Sequence, residues 1–211
     1  MHAVAHVTVS RLCRRVELFL RSCQGVAAVE FAMVLPVMVL MYLGMTELTF
    51  AVNTDRKITL LSRTLADLTG RATSVSASDM DAIFGAAIAV MAPHNGDNVK
   101  MVVSSIVVKD TGQVSNGQPV LKGTVCWSAA RGPGNPPGLP KGTVVTVPDG
   151  FQTADSSYIR ADVDINYTPV FGASVLQWVS GASQLPLSEQ TPWPVRNVKE
   201  VVWQGTTPCL G

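Results

Sequence analysis

Charge is scarce in this chain. Only 15% of its 211 residues are Asp, Glu, Lys or Arg, against roughly 25% in typical soluble domains. Neither sign dominates: 16 Lys and Arg face 15 Asp and Glu, a net charge of +1. That balance argues against a nucleic-acid partner, which calls for a basic excess. Histidine is nearly absent too. Two of the three lie at His2 and His6, and the third, His94, adjoins Asn95-Gly96, a turn signal with no catalytic partner in view. The four cysteines contain no C-x-x-C pair and are too few for a small disulfide scaffold. There is no H-E-x-x-H, no G-x-S-x-G and no S-x-x-K. These gaps predict a protein that is not an enzyme, with no cofactor and no metal.

What the chain has is apolar material. Hydrophobic residues make up 47% of it and the mean hydropathy is +0.27, which excludes global disorder. From Phe31 to Thr46 there is no charged residue, a run of about 24 Å as a helix. Carried back to Val26 the run reaches about 31 Å, close to a bilayer's hydrocarbon thickness. That extension takes in Glu30. A carboxylate there costs roughly 2.5–3.5 kcal/mol on insertion scales, so Glu30 either marks the interface or has a function. Ahead of the run stand Arg11, Arg14, Arg15 and Arg21 against Glu17; beyond it, Arg56 and Lys57 are offset by Glu47 and Asp55. The positive-inside rule then puts the N-terminus in the cytoplasm and the C-terminal part outside. No A-x-A cleavage signal follows, so the helix is expected to remain as an anchor.

The stretch Gly25-Val-Ala-Ala-Val-Glu30-Phe31 sets Gly immediately before an apolar helix and Glu five residues later. It resembles the prepilin-peptidase site of type IV pilin-like proteins. With Pro36 and Glu47, GVAAVEFAMVLPVMVLMYLGMTEL is similar to TadE-like pseudopilins of tight-adherence (Flp) pilus systems. The similarity extends to residues 79–93, 102–113, 125–130 and 165–172, and to the cysteine near the C-terminus. Pro194-Val195-Arg196-Asn197 follows only loosely the arginine-rich stretch of such proteins. The resemblance implies a minor pseudopilin cut between Gly25 and Val26 by a prepilin peptidase. It implies that Glu30 meets the new α-amine of an adjacent subunit and sets the stagger of assembly. The implied partners are the inner membrane, the peptidase, other pilins or pseudopilins and the assembly platform. The implied place is the bacterial inner membrane, crossed once, with a periplasmic head, or a surface pilus. The physical logic agrees: Gly25 lets a protease approach its backbone, and an α-amine of pKa near 7.7–8.0 is largely protonated at neutral pH. An anchored periplasmic binding or scaffolding module unrelated to pili is the alternative, and a membrane-tethered enzyme a third class.

On this reading residues 1–25 are a cytoplasmic leader, 26–70 a transmembrane helix and amphipathic stalk, and 71–211 a periplasmic α+β head. Cys13 and Cys23 leave with the leader, so Cys126 and Cys209 remain on the oxidising side and are expected to pair; two separate thiols or an intermolecular bond are the alternatives.

Local patterns fill in the head. Ala51, Ile58, Leu61, Leu65 and Leu68 form one stripe of a helix stopping near Gly70, with a bend expected at Pro36. Residues 73–78 look like a polar linker with Ser78 as the N-cap of a second helix closed by Pro93; Asp79 and Asp81 suit its first turn better than a metal pair. Val99–Lys109 and Val120–Trp127 read as strands, with turns at Thr111-Gly112 and Asn116-Gly117. The four Pro and four Gly of 131–142 mark a loop. Tyr158–Tyr167 alternates, with Tyr158, Arg160, Asp162, Asp164 and Asn166 on its wet face. Asp162 and Asp164 suit a solvated face better than a calcium site. A short helix at 173–179 and a last strand at Val195–Trp203 complete an expected sheet of four or five antiparallel strands.

Overall fold

A computed structural model describes residues 25–92, 96–115, 117–170, 172, 173, 177, 181 and 183–211. The leader through Gln24, Pro93, His94, Asn116 and most of the helix expected at 173–179 lie outside the described residues. The chain divides into two compact units, with the boundary between Glu47 and Leu48.

Helix α1, Val26–Arg71, runs through both units and continues past Pro36. In the first unit its apolar side chains are exposed: Phe31 60%, Met33 73%, Leu40 67% and Tyr42 68%. A soluble core helix would bury one stripe of them. This helix is long and apolar enough to cross a membrane, which suggests membrane anchoring. Proline is tolerated in such helices, although it leaves one carbonyl of the preceding turn without its usual donor.

In the second unit α1 changes character. Thr54, Ile58, Leu61, Ser62, Leu65, Ala66 and Thr69 are buried, a stripe at helical spacing that contains the expected Ile58, Leu61 and Leu65. Its hydroxyls do not go unsatisfied: Thr54 and Thr69 donate to the carbonyls of Phe50 and Leu65, and Ser62 donates to Ala161 O at 3.2 Å. Strand β1 (Ser74–Val75) and helix α2 (Ala77–Ile88) follow, then a 3₁₀ turn, Ala89–Met91. Lys57 reaches the end of that turn and donates to the carbonyls of Met91 and Ala92.

Two expectations fail here. The N-cap is Ser76, not Ser78: its hydroxyl accepts from Asp79 N while the Asp79 carboxylate accepts from Ser76 N, a closed capping box. Asp79 thus lies in the first turn and Asp81 beyond it. Nor is 73–78 a plain linker, because Val75 is fully buried and β1 pairs in parallel with β7, Val202–Trp203.

The main sheet has five antiparallel strands in the order β4-β3-β2-β5-β6, which makes the fold α+β as expected. They are β2 Val99–Ser115, β3 Gln118–Arg131, β4 Val144–Val145, β5 Ser156–Tyr167 and β6 Leu185–Pro194. β2 runs past the turn expected at Thr111-Gly112; Gly112 instead takes φ +71° in a ladder irregularity between Asp110 and Val114. Ser115 of β2 pairs with Gln118 of β3. The strand expected at Val195–Trp203 is displaced: the sheet closes on β6, and only Val202–Trp203 pairs, in the separate two-stranded sheet.

One sheet face carries Met101, Val103, Val107, Ile159, Ala161 and Val163 into a core with Leu61, Leu65, Met80 and Phe84 of the helices. The opposite face has its own cluster, Ile106, Val108, Val125, Val147 and Tyr158, covered by Leu139 and Phe151. Tyr158, assigned to the wet face from its alternation, is therefore 1% exposed. Burial pushes its phenol pKa upward.

Candidate functional site

The residues named for processing and assembly lie in the first unit. Gly25 immediately precedes α1, and an added Cβ there would meet nothing within 4 Å. Val26 is 55% exposed and Glu30 is exposed as well. They are four residues apart on one helix, so both lie on the same face, one turn apart.

Cys126 and Cys209 lie in the second unit, where they form a disulfide with Cα atoms 6.1 Å apart, bridging 83 positions of sequence. The bond depends on a local irregularity. Ser105 pairs with Trp127 and Ile106 with Val125, leaving Cys126 as the extra residue of a bulge in β3. Neighbouring strand residues normally point to opposite faces, but here Cys126 and Trp127 both enter the helix-side core. The bulge thus aims the thiol at the C-terminal tail and the indole at the segment before it, where Trp127 Nε1 donates to Val201 O at 2.7 Å. Trp127 and Trp203 also stack at a tilt, centroids 5.5 Å apart.

Glu200 completes this arrangement and escaped the sequence reading. It is 5% exposed. Its carboxylate accepts from Cys209 N at 3.1 and 3.0 Å and from Leu210 N at 2.9 Å. The ligand atoms of Cys126, Glu200 and Cys209 lie within 4.8 Å of one another. The sulfurs are bonded to each other and the carboxylate is filled by amides, so the group acts here as a tether. The only sequence signal for Glu200 was a carboxylate set among apolar residues in Val198-Lys-Glu-Val-Val-Trp203.

A second unforeseen cluster closes the end of α1. Asp67 accepts from Trp193 Nε1 at 3.1 Å and pairs with Arg71 and with Arg196 at 3.0 Å, while Arg196 stands 6.0 Å over the Trp193 ring. The Arg71 hydrogen bond, against the opposing push of desolvation and with help from Trp193 and Arg196, holds the Asp67 carboxyl below the usual carboxylate range. Arg196 N donates to Gly70 O at 3.0 Å and Asn197 Nδ2 to Arg71 O at 2.6 Å. The Pro194–Asn197 stretch thereby caps carbonyls that a helix end leaves open. Of the other acidic pair, Asp162 accepts from Arg160 at 2.9 and 3.0 Å and from Gln190 at 2.9 Å.

Residues 25–67 match the family model for TadE-like proteins. The matched stretch opens on Gly25 and takes in most of α1, so the TadE-like resemblance read from the sequence holds over that segment. No curated protein and no solved structure matches the chain significantly. The TadE-like segment thus contains the Gly25–Val26 boundary, Glu30, the whole apolar run and Asp67, while the sheet, the disulfide and Glu200 lie downstream of it. The match suggests involvement in tight-adherence pilus assembly.

Proposed function

We propose that this chain is a minor pseudopilin required for assembly of a tight-adherence pilus and acts as a structural part, not as a catalyst. A prepilin peptidase cuts between Gly25 and Val26, on the cytoplasmic side of the inner membrane. The new α-amine at Val26 pairs with Glu30 of a neighbouring subunit in a low-dielectric setting where neither charge is tolerated alone. The anchored helix presents the disulfide-bonded head to the periplasm. The observation that carries this reading is the TadE-like match, which begins at Gly25 and follows the exposed apolar helix.

The test is the intact mass of the protein purified from its own membranes. The mature chain should begin at Val26, and Gly25→Val should leave it full length. A wild-type protein that begins at Met1, or at His2 after methionine removal, overturns the proposal. Glu30→Ala should keep processing and head folding yet abolish piliation; normal pilus numbers would count against the charge pairing.

A further inference from the structure

The segment from Val195 to Leu210 forms almost no sheet of its own, yet it is bonded to α1, β1, β3 and β5. At its start Arg196 and Asn197 cap the Gly70 and Arg71 carbonyls of α1. Next, Lys199 O accepts from Ser157 of β5 at 2.6 Å, and Val201 O accepts from Trp127 of β3. Then β7 pairs with β1, supported by Gln204 N donating to Val75 O at 2.9 Å. At its end Cys209 is bonded to Cys126, and the Cys209 and Leu210 amides fill the Glu200 carboxylate.

We propose that this segment is a redox-sensitive clamp: the Cys126–Cys209 bond holds the tail in place, the tail satisfies Glu200, and the ordered segment then caps α1. Each link depends on the one before it. Two-residue strands do not hold themselves together. A buried carboxylate that loses its N–H partners is strongly disfavoured in that position, so a freed tail draws Glu200 outward with it. The five-stranded sheet stands apart from this chain of dependence, because β2 and β5 share an unbroken ladder from Val99↔Ile165 to Val108↔Ser156.

The switch requires an external dithiol. One of its thiolates attacks Cys209 Sγ, which is the more accessible sulfur, since Cys126 is 7% exposed and Cys209 only partly buried. A mixed disulfide forms and Cys126 leaves as a thiolate that takes up a proton. The second thiol of the reductant then displaces Cys209 as a thiol and the reductant closes to its own disulfide, so two electrons and two protons pass to the protein.

The experiment is hydrogen exchange on the full chain in detergent, oxidised and after reduction with dithiothreitol, with thiol mass-tagging to verify the bond state. Reduction should speed exchange about tenfold or more in peptides covering 196–210 and 73–75, with β2 and β5 amides at their oxidised rates. Unchanged exchange in the tail overturns the clamp. So does an equal acceleration in β2 and β5, which would make the bond a tie for the whole fold. Glu200→Gln with the disulfide intact should speed exchange at Cys209 and Leu210 several-fold and at Arg196 N by less; no change at the Cys209 and Leu210 amides removes Glu200 from the clamp. Reduction acts on protein already folded, so a folding failure of any cysteine variant does not blur the result.

Discussion

Replacing Asp67 tests whether the end of α1 is fastened by charge or by shape. Its carboxylate serves three donors at once, the Trp193 indole and two guanidinium groups. The Arg71 and Arg196 side chains are 57% and 49% exposed, so each ion pair contributes only about 0.2–1 kcal/mol. The Trp193 bond is less exposed and goes to a charged acceptor, worth about 1.5–3 kcal/mol. Asp67→Asn keeps an acceptor for Trp193 but loses both ion pairs, and should cost about 1 kcal/mol. Asp67→Ala loses all three and should cost about 2–3 kcal/mol. Urea unfolding of the full chain in detergent, followed by tryptophan fluorescence, measures both. The difference between wild type and Asp67→Asn must also depend on pH. The folded-state pKa of Asp67 is lowered, so its contribution is fully present above the unfolded-state value of about 3.9 and is lost as pH falls through the folded one. The gap between the two proteins should therefore be constant from pH 7 to about pH 5 and shrink below about pH 4. A gap that persists unchanged to pH 3, or an Asn variant as damaged as the Ala variant, refutes the electrostatic account.

Two further substitutions probe the architecture of the second unit. Ser76→Ala removes one half of the capping box on α2 and should lower stability by about 1 kcal/mol in the same urea assay; Ser78→Ala should do so by much less, because the Ser78 hydroxyl bonds the Ser76 hydroxyl and is not the cap. Gly123→Ala would place a Cβ 2.9 Å from Val145 O, which should push β4 off the sheet edge at about 1–3 kcal/mol and show as faster protease cleavage within 132–151.

Elements whose pattern is local were legible in the sequence. The uncharged run is legible from its length and the Ile58, Leu61, Leu65 stripe from its helical period, and both lie in α1. β5 alternates strictly enough to be found by eye, and only Tyr158 breaks the rule, because loop residues such as Phe151 cover its side of the sheet, with ring centroids 5.0 Å apart. β6 was lost for a physical reason. Pro186, Pro192 and Pro194 argue against any central strand. All three fall on the same parity of the β5–β6 register, opposite Asn166, Arg160 and Tyr158. On an edge strand one parity points its N–H groups away from the sheet, so proline there removes no ladder bond. The three prolines therefore describe an edge, and they also blunt it against pairing with another chain.

The candidate site divides along the same line. Gly25, Val26 and Glu30 stand out in the sequence because their pattern is contiguous, four apolar residues framed by a glycine and a glutamate. Cys126 and Cys209 were found by compartment, although nothing in the sequence announced the bulge that turns Cys126 toward the tail. Glu200, Asp67 and Trp193 were not found, because each acquires its role from a residue brought in by the fold. Asp67 and Trp193 are 126 positions apart, and Glu200 meets the Cys209 and Leu210 amides only once the chain has turned back on itself. A carboxylate between Lys199 and Val201 looks like an ordinary wet position in a strand. Its burial at 5% is the consequence of a tail that supplies three N–H contacts and a disulfide that holds the tail there. Polar burial of this kind follows from satisfaction by distant partners, so hydropathy places the apolar core and the anchor while leaving the clamp unseen.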